Sequence, residues 1–332
     1  MRMKTSIRGL GPLRLSRRVV IAGMAFAVAA TASLGPAFAE NKKIAVSFPN
    51  ASVIGAVITS LDAAKEKGKE MGYDVIVDDP GTDLNKQINT IKTWIGQKVD
   101  VIVVNTLQPA AFESVAKQAR EAGVVWITYG QKIENQDATV GYAQYPDGRQ
   151  LGEYAGQWVT DKLGGKAKAI ILGYEKGIWG QQRGSGIKDG LLAKAPNVEI
   201  VAEQDAISPT EGLNVTRSLL QAHPDANVIL GVEDPATEGA YKAWVAAGKD
   251  PADPTGFIGG MDGTVPALKL LKQGGTVYRA SMAIPLVQVG YAIVETGDKL
   301  LKGEKTGDVI VPLELVTEKS PKADEYLKQQ GE

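Results

Sequence analysis

Val101-Ile102-Val103-Val104, followed at once by Asn105, is the stretch on which the fold turns. Four apolar residues without alternation suit a parallel strand covered by helices on both faces, because a half-solvated strand would alternate. The same kind of run recurs on either side. Ile44–Phe48, Asp74–Val77, Val124–Thr128 and Thr139–Tyr142 form a first series with it. Ala169–Leu172, Val198–Ala202, Val228–Gly231, Phe257–Gly259 and Val277–Ser281 form a second. Between them lie amphipathic stretches of helical period, from Val57–Met71 through Pro285–Lys302. Gly72, Gly123, Gly164, Gly248 and Gly274 stand where helix C-caps belong.

Repeated strand–helix units imply α/β architecture with parallel sheets. Two successive series, separated near Tyr145-Pro146-Asp147-Gly148, predict two doubly wound lobes rather than one continuous sheet. In such sheets ligands bind outside the carboxyl ends of the strands. Polar and aromatic residues just past strands are therefore the candidates. They are Asn50, Asn105, Tyr129 with Gly130 and Gln131, Tyr174, Glu233 with Asp234, and Asp262.

Composition excludes several chemistries. The chain has no cysteine and one histidine, so thiol nucleophiles, disulfides and cysteine or histidine-rich metal sites are absent. His223 lies in Ala222-His223-Pro224-Asp225, a connecting turn, and no catalytic residue, metal ligand or cofactor is predicted. Lys and Arg number 37 against 38 acids, a balance that offers no field for nucleic acid. No phosphate-cradling loop is present, and Gly184-Ser185-Gly186 with Gly190 misses the dinucleotide spacing. The adjacent acids Glu233 and Asp234 point different ways on a helix-entry loop, so they read as a ligand acceptor plus an N-cap rather than a glycosidase pair. Trp94, Trp126 and Trp158 read as packing residues. Trp179, in the loop after a strand, suits an aromatic plate for the apolar face of a ring.

The N-terminus reads as an address. Arg2, Lys4, Arg8, Arg14, Arg17 and Arg18 precede an apolar run from Val19 to Ala30, and Ala37-Phe38-Ala39 offers a cleavage site. Residues 1–39 are thus predicted to be a secretory signal peptide. Ser16-Arg17-Arg18-Val19-Val20 is like a twin-arginine signal, with a long Sec signal as the alternative.

The body resembles the ribose-binding-protein-like, type I periplasmic binding proteins. The resemblance rests on Gly212-Leu213-Asn214-Val215 with Ala222-His223-Pro224-Asp225, on Glu233 through Ala240, on Gly260-Met261-Asp262-Gly263-Thr264, and on Lys302-Gly303-Glu304-Lys305 before the last strand. It implies two lobes joined by three crossovers, with residues 40–144 and 285–308 in an N-terminal lobe and 145–284 and 309–332 in a C-terminal one. It also implies a hinged cleft closing on a monosaccharide or polyol for an ABC permease, in a periplasmic monomer. By the resemblance, Asn105 and Asp262 match binding residues, Glu233 takes the place of a binding Asn, and Gln181, with Arg183 nearby, falls where the family has a ligand Arg. Gly130 and Gln131 fall where an Asp-Arg pair grips the sugar. The aromatic entry to the first helix is replaced by Asn50-Ala51-Ser52-Val53-Ile54, and Ala283 replaces a polar binding residue. The rewritten polar code predicts a ligand other than ribose. A non-sugar metabolite, a sensory ligand-presenting role and an enzyme on the same scaffold are the alternatives.

Overall fold

The computed structural model describes residues 41–332 apart from Leu107, so the signal-peptide reading of residues 1–39 lies outside the described residues. The first sheet is built from β1 (Lys42–Ser47), β2 (Tyr73–Asp78), β3 (Val101–Val104), β4 (Val125–Tyr129) and β5 (Ala138–Gly141). Its helices are α1 (Gly55–Met71), α2 (Leu84–Gln97) and α3 (Glu113–Glu121), the last entered through a 3₁₀ turn at Pro109–Phe112. The second sheet uses β6 (Lys168–Gly173), β7 (Glu199–Asp205), β8 (Val228–Gly231), β9 (Phe257–Asp262) and β10 (Tyr278–Ala283). Around it stand α4 (Gln144–Leu163), α5 (Ile178–Lys194), α6 (Pro209–Ala222), α7 (Asp234–Ala246) and α8 (Val265–Gln273). The chain ends with α9 (Leu286–Leu301), β11 (Asp308–Ile310), β12 (Glu314–Thr317) and α10 (Pro321–Gln329).

The two sheets repeat one plan. The first runs β11-β5-β4-β3-β1-β2 and the second β12-β10-β9-β8-β6-β7. Strands of the first are all parallel, whereas β12 adds antiparallel to β10 at the edge of the second. The order reverses between β1 and β3 in one lobe and between β6 and β8 in the other, and these are the switch points where ligands sit. The chain passes between sheets three times: after β5, between β10 and α9, and between β11 and β12.

Each sheet is covered on both faces, as the unalternated apolar strands require. Val101 and Val103 pack with Ile44, Ile127 and Ile293 on one face of the first sheet, while Ile102 and Val104 pack with Trp94, Phe112 and Trp126 on the other. Ile171 and Leu230 meet Leu151 and Ile187 on one face of the second, and Ile170 and Ile229 meet Trp244 and Leu268 on the other. The five capping glycines all adopt positive φ, from 62° to 80°, the left-handed region that glycine enters without a Cβ penalty. Tyr145 through Gly148, read as the break between the two strand series, forms the first turns of α4, which follows the crossover after β5. That helix then packs so closely on α5 that a Cβ at Gly152 would lie 2.1 Å from the Ile187 carbonyl oxygen. The short edge strands β11 and β12 and helix α10 lie beyond the two strand series read from the sequence.

Candidate functional site

The carboxyl ends of both sheets' strands meet a cavity of about 390 Å³. Phe48, Asn105, Thr106, Tyr129, Gly130 and Gln131 line it from the first lobe, following β1, β3 and β4. Trp179 and Arg183 on α5, Glu233 after β8 and Asp262 at the end of β9 line it from the second. Tyr142, Gln144 and Ile284 contribute from the connecting segments, and Ile54, Val57, Leu61, Leu286, Val289 and Ile293 add an apolar wall.

Arg183 organises the second-lobe half. It is almost wholly buried, and its Nη1 donates to Asp262 Oδ1 at 2.8 Å and to the Val232 carbonyl at 2.9 Å. Its Nε donates to Gln144 Oε1 at 2.7 Å. The guanidinium also stands 5.5 Å from the centre of the Trp179 ring, whose orientation is fixed by stacking on Tyr174 at 5.1 Å. Asp262 holds φ at +107°, a strained value for a residue with a Cβ, and Gly263 follows at +72°.

That strained turn is clamped from below by Asp234. Its carboxylate accepts from the Gly263 and Thr264 amides at 2.8 and 3.0 Å, from Ser281 Oγ at 2.7 Å and from the Tyr278 hydroxyl at 2.9 Å. Asp234 therefore braces the neighbouring loop instead of capping its own helix; it occupies the first turn of α7, where its side chain is turned to β9 and β10. Burial, then the charge of Asp262, pushes its carboxyl up to about 8 against the pull of those donors. Glu233, in the N-cap position, makes no side-chain cap bond. Burial first, and then Asp262, pushes its carboxyl up to about 8 as well, with Arg183 opposing.

In the first lobe, Asn105 Nδ2 donates to the Tyr129 carbonyl at 3.0 Å, which sets the amide's plane at the cavity wall. Gln87 Nε2 in turn donates to the Asn105 carbonyl at 2.7 Å. Phe48 lies 5.5 Å from Tyr129, and Tyr129 meets Tyr142 edge-on at 6.0 Å, their hydroxyls hydrogen-bonded. Burial pushes the Tyr129 phenol up to about 12, so both tyrosines are neutral donors at physiological pH.

Of the residues singled out in the sequence, the cavity brings together Asn105, Tyr129, Gln131, Trp179, Arg183, Glu233 and Asp262. Three others lie outside its lining. Asn50 adopts φ of +58° and its carbonyl accepts from Val53 and Ile54, shaping the entry to α1. Tyr174 supports Trp179 from behind and lines a separate depression with Asp205 and Glu211. Gln181 is exposed and donates to the Glu175 carbonyl at 2.6 Å. Sequence reasoning missed Phe48, Tyr142 and Gln144. Phe48 and Tyr142 immediately follow or nearly follow strand ends, the same signal that selected Asn105. Two aromatic rings of the cavity thus stand one residue after β1 and one residue after β5.

Two doubly wound lobes linked by three crossovers, with side chains of both facing one cavity, define a two-lobed ligand-clamping binding protein. Residues 44–305 match the family model described as "Periplasmic binding protein domain", and the chain belongs to that family. It is 31% identical over 249 residues to the ribose import binding protein RbsB of Salmonella typhimurium, covering 74% of this chain and 80% of that one. The D-apiose import binding protein of Paraburkholderia graminis is 28% identical over 250 residues, covering 74% and 77%. Among solved structures, the periplasmic ribose ABC transporter protein of Conexibacter woesei superposes with a TM-score of 0.76 at 22% identity, covering 87% of this chain and 95% of that one.

Proposed function

We propose that this chain is the solute-binding component of an ABC importer, taking a monosaccharide or polyol between its lobes and presenting it to a membrane permease. The carrying observation is that hydrogen-bonding groups of both lobes, Asn105 on one side and Arg183, Glu233 and Asp262 on the other, line a single cavity with aromatic faces between them. Carbohydrates present hydroxyl edges and apolar C–H faces, and this lining offers partners for both. A ligand that bridges Asn105 and Asp262 stabilises the closed arrangement through contacts that the separated half-sites cannot make together.

The relatives are import binding proteins, and the same role here entails reversible capture without turnover. The arginine-rich N-terminus and the family support periplasmic location after export by a twin-arginine-like or Sec signal, with the exported chain acting as a monomer whose lobe surfaces stay free for docking. Ribose contacts are not matched residue for residue, since Gly130 stands at φ of +90° and Gln131 replaces a charged partner. A pentose or hexose other than ribose, or a polyol, fits the lining better.

Thermal unfolding of the exported protein against pentoses, hexoses, polyols and inositols tests this. A ligand at a hundredfold excess over its Kd adds about 2.7 kcal/mol, a clear upward shift. A flat response across the whole panel contradicts the carbohydrate reading.

A further inference from the structure

We propose that, among the carbohydrate and polyol ligands of the preceding reading, the cavity selects one carrying a protonated amine, which Glu233 holds as an ion pair. The charges of the lining lead there. Among the described lining residues, Arg183 is the one cation and Glu233 and Asp262 are the two carboxylates. Arg183 is already committed: its hydrogen bonds go to Asp262, Gln144 and the Val232 carbonyl. Glu233 is left over. It is half-buried at the cavity wall, and its carboxylate forms no hydrogen bond or ion pair with any described residue.

A half-buried carboxylate without a partner takes up a proton more readily and gains from a cation brought beside it. Three elements face Glu233 with charged groups: Asp262 from β9, Arg183 from α5 and Asp234 from α7. Two of the three are acids, and the one cation, Arg183, is hydrogen-bonded to Asp262 rather than to Glu233. A ligand hydroxyl donates one hydrogen bond and brings no charge. An ammonium brings three donors and a full charge, and charge-assisted bonds are about twice as strong as neutral ones. The rings of Phe48, Tyr129 and Tyr142 line the same cavity and are compatible with a cation beside them.

In place of an amide, which both donates and accepts, an ionised carboxylate only accepts. The group facing it must therefore donate, and an ammonium does so with three N–H groups and the opposite charge. Burial, then the charge of Asp262, raises the Glu233 carboxyl well above the ordinary range, so that near neutral pH it takes up a proton far more readily than a free glutamate. Ammonium binding ionises it, and that proton leaves to solvent.

The test is isothermal calorimetry on the exported protein with matched pairs: amino hexoses against their parent hexoses, and amino alditols against their parent alditols. The proposal expects one amine to bind about tenfold or more tighter than its hydroxyl parent at neutral pH. It also expects proton release, seen as a dependence of the heat on the buffer's ionisation enthalpy, and a preference that grows from about pH 5 to about pH 7, below the range where the amine itself loses its proton. In Glu233→Gln the affinities of amine and parent converge and proton release is lost, with folding checked by circular dichroism. Parents that bind as tightly as their amines, or a Glu233→Gln variant that keeps the preference, overturn this inference and leave the carbohydrate reading standing. A panel in which neither member of any pair binds overturns both.

Discussion

Replacing Arg183 by Met probes the arrangement at its most connected point. The guanidinium makes one ion pair, one bond to an amide oxygen and one to a backbone carbonyl, all between 2.7 and 2.9 Å. Methionine keeps much of the apolar stem and removes all of these. Removing one partner of a buried ion pair costs about 3–5 kcal/mol, because the other charge is left uncompensated. The side chain of Asp262 is 21% exposed at the cavity, so water recovers part of its solvation and the lower end, about 3 kcal/mol, applies. Urea unfolding followed by tryptophan fluorescence measures it. The accompanying fall in Tm is about 6–12 °C, at roughly 2–4 °C per kcal/mol for domains of this size. The double variant Arg183→Met/Asp262→Asn removes the stranded charge with a residue that tolerates the positive φ of this position and should regain most of the loss, while ligand binding stays impaired. A single variant that loses less than about 1 kcal/mol, or a double variant no more stable than the single, refutes the reasoning.

Gly152→Ala drives a methyl into the Ile187 carbonyl across the α4–α5 contact and should cost about 1–3 kcal/mol by overpacking. Gly96→Ala, with open space around its Cβ site, should be neutral or gain up to about 1 kcal/mol of helix propensity; urea midpoints compare the two. Asp234→Ala strands the Thr264 amide, worth about 1–3 kcal/mol when left unpaired, while the Gly263 amide keeps Ser281 Oγ and the Tyr278 hydroxyl keeps Thr237 Oγ1. It should unfold more readily by about 1–3 kcal/mol and lose ligand affinity through the displaced Asp262 turn. Glu233 and Asp234 both have carboxyls raised to about 8, so the folded chain binds these protons more tightly than the unfolded one. Their contribution is complete below the ordinary carboxyl range and is lost as pH rises through about 8. Thermal scans of the ligand-free protein should accordingly show Tm falling toward alkaline pH, with a shallower fall in Glu233→Gln. An alkaline optimum would contradict those directions.

The sheet strands were legible because their chemistry is local. Val101–Val104 announces a strand buried on both faces, and glycines such as Gly72 and Gly164 mark helix ends through a backbone conformation that other residues enter only at a cost. The switch-point rule then carried Asn105, Glu233 and Asp262 to one cavity. What stayed hidden depends on neighbours distant in sequence. Nothing around Asp234 announces that its carboxylate reaches the turn at Gly263, 29 residues on. The role of Arg183 depends on Asp262, 79 residues away. Asn50 was selected for standing past a strand, yet its left-handed backbone is spent on turning the chain into α1. Of the two short edge strands, a last strand after Lys305 was legible through the resemblance alone, and β12 was missed because it is four residues long and partly exposed.

Calorimetric titration of the ligand found in the panel, against wild type, Asn105→Ala and Asp262→Asn, tests most directly whether one ligand is held by both lobes at once. If Asn105 and Asp262 grip the same molecule from opposite sides, each substitution weakens binding by about tenfold or more, since Ala removes a hydrogen-bonding partner worth about 1–3 kcal/mol and Asn removes the charge and one acceptor that strengthen the Asp262 contact. Undiminished affinity in either variant would mean that the ligand is held by one lobe alone, and the account of capture between two lobes would be wrong.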